Sequence, residues 1–367
     1  HPSTALRSLI GILFVLLLPI SPFCLAAPVT QLYSAEVPVS GQEASERNQA
    51  IREAFGKVLV KVTGNPRIAS RPELGSLIKQ AQRYIQQYRY RIPDRFDDGV
   101  EASAGEEGRL LWVQFDKREI DRLLRANRLP VWGDNRPLVL IWLATETNGK
   151  RGVVLPDMFP SLTESINTAA GDRGIPVIFP LMDLEDQDNL PVSDLWGGFG
   201  ASIARASERY RPDVILIGRI SNLGRKLWRA NWSLTQGEKE TSWSGQAKNL
   251  HRIGVEAIQQ TADRLADQYA PAGGATEVST TLVTVGAVRD LTDHTAVLEY
   301  LKSRGSIESI ETVRVEPDAA TFRLVYRGVL QTLERELELG GLLYPDPEVP
   351  LEPASPPGMT LFYRLRE

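Results

Sequence analysis

Four short stretches of this sequence hold residue types that could do chemistry. Met182 to Asn189, MDLEDQDN, gathers Asp183, Glu185, Asp186 and Asp188 just after an apolar run. Two carboxylates so close, one protonated and one ionised, could cleave a glycosidic bond, which makes Asp183 and Glu185 the candidate acid/base residues. The plainer reading is a solvated acidic loop; a calcium loop would need a sharp-turn glycine that this stretch lacks. Leu195 to Gly200, LWGGFG, opens onto a helical pattern. Trp196, Gly197, Gly198 and Phe199 are therefore candidate binding residues, the glycines for close backbone approach and the aromatics for contact area. No strand precedes them, so the stretch is not a phosphate loop. Ser76-Leu-Ile-Lys79 and Ser165-Ile-Asn167 spell two elements of penicillin-binding enzymes, but the third, Lys-Thr-Gly, is absent. The apolar spacing around Ser76 turns it and Lys79 toward solvent, where the lysine stays protonated.

The fourth stretch is basic. Residues 41–95 hold 11 Lys and Arg against 5 Asp and Glu, while the whole chain carries a net charge of −4. Lys57, Lys61, Arg67 and Arg71 surround Thr63-Gly-Asn-Pro66 and are the candidate contacts for an anionic partner. The run KQAQRYIQQYRYR adds Arg83, Tyr84, Arg89 and Arg91, a stacking-and-phosphate pattern in another setting. Histidine occurs three times and cysteine once, at Cys24. Zinc sites and His-dependent triads lack raw material, and no cofactor or metal is expected.

The elements that must position these residues follow from periodicity. Residues 1–26 read as a signal peptide: Arg7, the uncharged run Leu9–Ile20, Pro19, then small residues ending at Ala26. Cleavage there removes the only cysteine, and retention would instead leave an inner-membrane anchor.

Residues 29–133 predict an α+β module with a two-helix hairpin. Ser40–Glu43 and Ser70–Glu73 are capping boxes. Ile51, Ala54, Phe55, Val58, Leu59 and Val62 form one apolar stripe; Leu74, Leu77, Ile78, Ala81, Ile85 and Tyr88 form the next. Gly64 and Pro66 make the joint between the two helices. Residues 134–270 predict an α/β module with a mixed sheet. RPLVLIWLA is a strand buried on both faces, and Trp228–Leu234 is a strand with one packed and one wet face. After the linker APAGGAT, residues 277–367 predict a ferredoxin-like βαββαβ module, its last strand being LLYPD or MTLFYRLRE.

AEVPVS, RNQAIREAFGKVLVKVTGNP, AQRYIQQYRYR, LWVQFD, LPVWG, RPLVLIWLA and DLWGG occur in this order. The set resembles an exported proteobacterial family of uncharacterised proteins, catalogued only as a domain of unknown function. The resemblance covers most of the chain beyond the leader and implies export and a multidomain architecture. It carries over no site residue.

The resulting expectation is a non-catalytic periplasmic binding or scaffold protein of the cell envelope. Its partner would be an envelope protein, or an anionic envelope polymer or lipid, and not nucleic acid. A retained leader would add membrane contact. The alternative is an envelope enzyme using Asp183 and Glu185 on a glycan or cell-wall polymer.

Overall fold

The computed structural model describes residues 31–92, 109–154, 156–224, 226–270, 278–346 and 360–366. The leader, the polar loop after Ile92, the APAGGAT linker and most of the proline-rich stretch before Thr360 lie outside the described residues. The protein is multidomain, with three sheets. No described helix is long and apolar enough to cross a membrane.

The first sheet has the order β1-β3-β2, all antiparallel, from β1 (Ser34–Val39), β2 (Ile85–Arg91) and β3 (Arg109–Phe115). Helix α1 (Ala44–Thr63) lays its apolar stripe on this sheet, and Ile51, Ala54, Phe55, Val58, Leu59 and Val62 are all buried against Leu111, Val113 and Phe115. Helix α3 (Lys117–Ala126) follows, capped by Asp116, whose side chain accepts from Glu119 N.

Two sequence expectations fail in this module. Glu43 sits at the α1 N-cap without a side-chain cap bond, so the Ser40–Glu43 box does not form. The second helix of the hairpin shrinks to α2 (Gly75–Lys79), flanked by single 3-10 turns at Ile68–Ser70, Pro72–Leu74 and Ala81–Tyr84. Pairing of β2 with β3 claims the chain from Ile85 onward, so Tyr88 leaves the expected apolar stripe and stands 47% exposed. Ser76 and Lys79 face solvent, as their spacing predicts.

The C-terminal end of α1 is where the modules meet. A helix leaves its last carbonyls without partners, and here other elements supply them. Arg136 Nη2 donates to Lys61 O at 2.8 Å, Trp132 N to Val62 O at 2.7 Å, and Arg173 Nη2 to Gly64 O at 2.9 Å. Arg136 also donates to Gly133 O and Trp132 O and stacks 3.7 Å over the Trp132 ring. Burial lowers its pKa to about 9, which leaves the guanidinium charged at neutral pH. Arg173 is held in turn by Gln259 and Asp263. Gly64 adopts φ 71°, and a Cβ there would lie 2.8 Å from Ala266 Cβ and 2.9 Å from Trp132 Cε3. The Thr63–Pro66 joint is thus a helix stop pressed into a neighbouring module.

The central sheet runs β5-β4-β7-β8-β9, with β6 also pairing with β4. Its strands are β4 (Val139–Thr147), β5 (Lys150–Val153), β6 (Val177–Ile178), β7 (Val214–Asn222), β8 (Trp228–Gln236) and β9 (Lys239–Ala247). Strands β4, β6 and β7 are mutually parallel and the others antiparallel. Helices α4 (Pro160–Arg173) and α8 (Leu250–Tyr269) cover one face, burying Ile141, Leu216, Ala230, Trp232 and Leu234. Three short helices, α5 (Leu184–Asn189), α6 (Val192–Gly197) and α7 (Gly200–Ser207), cover part of the other, over Leu140, Trp142 and Ile217. The expected acidic loop is therefore helix α5, and the IPVIFPL strand is only two residues long.

The third sheet has the order β11-β12-β10-β14-β13, from β10 (Val278–Gly286), β11 (Ile307–Glu316), β12 (Ala319–Arg327), β13 (Leu343–Pro345) and β14 (Thr360–Leu365). Helices α9 (Leu291–Lys302) and α10 (Leu330–Glu338) complete the ferredoxin-like βαββαβ arrangement. Both proposed terminal strands form. The short β13 reverses the chain before β14, so β14 runs parallel to β10 instead of antiparallel. Asp213 ties this module to the central one, accepting from Leu138 N and from Gly340 N, both at 2.8 Å.

Gly64→Ala should destabilise the protein by about 2–4 kcal/mol, combining left-handed strain with overpacking; urea unfolding measures it. Glu336, 4% exposed, accepts from Ser306 N and Oγ, and burial raises its carboxyl above the ordinary range against the opposing pull of Arg304. A raised folded value favours the protonated form. That contribution is complete below the unfolded value of about 4.3 and is lost as pH rises through the folded one. Glu336→Gln should therefore gain stability over the parent as pH rises from about 4.5 to 8. Melting curves across that range check the sign.

Candidate functional site

The acidic stretch folds around one arginine. Asp183 caps α5, its Oδ1 accepting from Asp186 N at 3.0 Å. Arg209 grips the same carboxylate in a fork, Nη1 to Oδ1 at 2.8 Å and Nη2 to Oδ2 at 3.0 Å, and reaches Glu185 and Asp186 at 3.4 and 3.3 Å. Asp186 is buried and accepts from Met182 N and from the Tyr210 hydroxyl. The structure therefore brings Asp183 and Glu185 together, but around a guanidinium. The hydrogen bonds from Arg209, with the α5 amides behind them, hold Asp183 below the usual carboxylate range. A group so firmly ionised cannot serve as the acid that protonates a leaving oxygen. These are the bonds of a structural cap.

The basic region is not one face. Lys61 is buried, donating to Ser34 O at 3.0 Å and Gln31 O at 3.5 Å, and burial lowers its pKa. Its place on α1 points it at the start of β1, which corrects its assignment as a surface contact. Lys57 is half-buried and donates to Glu36 O at 3.1 Å. Only Arg67 and Arg71 of the four stand exposed. In the aromatic and basic run, Tyr84 stacks on Phe55, Arg89 covers Trp112 and Arg91 pairs with Glu36. Among the described residues no cluster of three or more His, Cys, Asp or Glu could hold a metal ion.

The LWGGFG loop is different, because it walls a groove. Gly198 ends α6 at φ 72°, and Phe199 begins α7. The Phe199 ring lies over Gly197, where a Cβ would come within 2.8 Å of it. Gly198 lets Arg219 of β7 approach, since a Cβ there would sit 3.1 Å from Arg219 Nη1. That Nη1 donates to Trp196 O at 3.5 Å. The Trp196 indole is half-buried and carries Arg151 stacked 4.8 Å over its ring.

Of these, Trp196 and Arg219 form one side of a cavity of about 430 Å3, lined also by Asn231, Trp232, Ser242, Trp243 and Ser244. Alternation along β8 and β9 sends the indoles of Trp232 and Trp243 to the α4/α8 side, where Arg264 of α8 stacks on Trp243 at 4.2 Å. The floor facing the groove is therefore backbone, with Asn231, Ser242 and Ser244 rising from it. Arg219 Nε is buried there without a hydrogen-bond partner. Leaving such a donor unsatisfied costs about 1–3 kcal/mol, as it also does at Arg136 Nη1 and Arg173 Nε, which are buried without a partner too.

The sequence singled out Trp196, Gly197, Gly198 and Phe199 but not Arg219, Asn231, Ser242 or Ser244. The wet face of β8 was visible in its alternation. That α6 would stand beside it was not.

Arg209→Met removes the fork on Asp183. The Asp183 carboxyl should then titrate upward, toward the unperturbed value of about 3.9. Carbon-13 NMR of the labelled side chain follows that shift.

A family model described as Domain of unknown function (DUF8605) matches residues 26–133, which take in the first module and stop short of the groove. No curated protein matches the chain. Among solved structures, the C-terminal domain of LpoB from Salmonella enterica is 13% identical, covering 35% of this chain and 93% of that domain at a TM-score of 0.22. That likeness is too slight to carry fold or function across, and the matched family is itself one without an assigned function.

Proposed function

We propose that this chain is an exported, non-catalytic binding protein of the bacterial cell envelope, engaging its partner through the groove beside Trp196. The observation that carries the reading is the groove itself, where the Arg219 guanidinium makes no ion pair among the described residues and stands beside Trp196, Asn231, Ser242 and Ser244. The α5 carboxylates, by contrast, are taken up by Arg209. A cationic donor left for a ligand beside hydroxyls, an amide and an aromatic wall suits recognition. Export is supported by the Leu9–Ile20 run and the small residues after it, and by the absence of cysteine beyond Cys24. Periplasmic residence follows from that leader.

A photo-crosslinking residue placed at Ser244 tests this in living cells. The reading requires a reproducible adduct in the envelope fraction that weakens when Arg219 is replaced by Met. Adducts confined to the cytosol, or none above a control site on α8, would remove it.

A further inference from the structure

The open face of β8 and β9 continues the groove into a strip, and its residue types identify a ligand class. Strand register sets three rows across β7, β8 and β9: Ile217–Ser233–Ser242, Arg219–Asn231–Ser244 and Ser221–Arg229–Gln246. Rows are about 7 Å apart along the strands, and neighbouring strands about 4.8 Å apart. Arg219 and Arg229 are diagonal neighbours, with Asn231 and Ser244 beside them. Neither arginine makes an ion pair among the described residues. Gln246, with its amide oxygen turned toward Arg229, accepts from Nε at 3.1 Å and Nη2 at 3.2 Å, and this neutral partner leaves the charge uncompensated. Glu240, on the same side by alternation, stands at the far end beyond Ser242.

From this array we propose that the groove binds an anionic, hydroxyl-rich glycan, its acidic group on Arg219 and its hydroxyls on Asn231, Ser242 and Ser244. The inference rests on the groove being the binding site. The acidic group, carboxylate or phosphate, accepts from the Arg219 guanidinium, and Arg229 receives a second one further along the chain. Trp196 offers the ring face that Arg151 does not cover, and its negative π-cloud suits the polarised C–H bonds of a sugar ring. A peptide strand would draw on backbone pairing at the β9 edge and not on side chains of the face. A lipid surface needs apolar contact, which Asn, Ser, Arg and Gln do not supply.

Titration calorimetry of the full chain with a galacturonate hexasaccharide, its carboxyl-reduced neutral counterpart, a glycerol-phosphate oligomer and oligodeoxythymidylate of matched charge tests the assignment. Saturable binding of the uronate or the glycerol-phosphate oligomer, at least tenfold tighter than the neutral sugar, is expected. The tighter of the two names the acidic group. Arg219→Met should weaken it at least tenfold, and Ser244→Glu, an exposed change that puts a carboxylate in the strip, should abolish it with the melting curve unchanged. Failure of both anionic oligomers to bind overturns the proposal. So do equal binding of the neutral sugar, undiminished binding by Arg219→Met, and oligodeoxythymidylate binding as tightly. A protein captured at Ser244 in cells, with no glycan bound in vitro, would keep the groove as a binding site and remove the glycan.

Discussion

Two buried arginines at the end of one helix hold the modules of this protein in register. Arg136 and Arg173 approach from the chain after β3 and from α4, and each donates to a terminal carbonyl of α1. A buried guanidinium is costly unless its donors are met, and helix-end carbonyls carry the partial negative charge that meets them. The arrangement brings the two together, although Arg136 Nη1 and Arg173 Nε keep no hydrogen-bond partner. It also explains why Gly64 has to be glycine: the helix must stop in a left-handed turn with Trp132 and Ala266 against its backbone. Once that seat is made, the end of α1 and the α4–α8 pair have fixed relative positions, and the central sheet lies beneath them.

The groove is a consequence of how the other face of that sheet is covered. Helices α4 and α8 are 14 and 20 residues long and reach across to β8, burying Ala230, Trp232 and Leu234. Helices α5, α6 and α7 have six, six and eight residues and pack over β4 and β7. At about 1.5 Å per residue, no one of them is longer than about 12 Å, so β8 and β9 stay open on that side. An open sheet face must be polar, and Arg229, Asn231, Ser242, Ser244 and Gln246 are. The boundary between covered and open sheet is where α6 ends, which is why Trp196 becomes a wall.

Much of this was legible in the sequence wherever local periodicity and tertiary demand agree. The α1 stripe and the β4 run each read correctly because the residues that favour the element also form its buried side. The Ser70–Glu73 segment misled because its helical spacing competes with a long-range strand pairing that no local pattern reports. Ile85 and Tyr88 fit both periods, and β3 decides between them. Lys61 misled for a related reason: lysine in a basic cluster reads as surface, yet its stem crosses to β1 and its ammonium finds two carbonyls. The site was half legible. LWGGFG announced a tight loop, and β8 announced a wet face, but only the fold makes them neighbours. Nor does sequence show that β13 turns the chain so that β14 runs parallel to β10.

Hydrogen-bond accounting also separates the two functional readings that residue types alone left open. Asp183 and Glu185 have the composition of a catalytic pair, and their surroundings decide otherwise. Asp183 spends both oxygens on Arg209 and a helix amide, and Asp186 spends its own on a hydroxyl and a backbone N–H. Glu185, 60% exposed, approaches Arg209 at 3.4 Å, so it too stands beside a guanidinium and not beside a second free carboxylate. Arg219 presents the opposite case: its Nη1 makes one long bond to Trp196 O, and its Nε makes none. Arg219 and Arg229 share one open sheet face with no carboxylate partner among the described residues, and the proposed ligand approaches from that side.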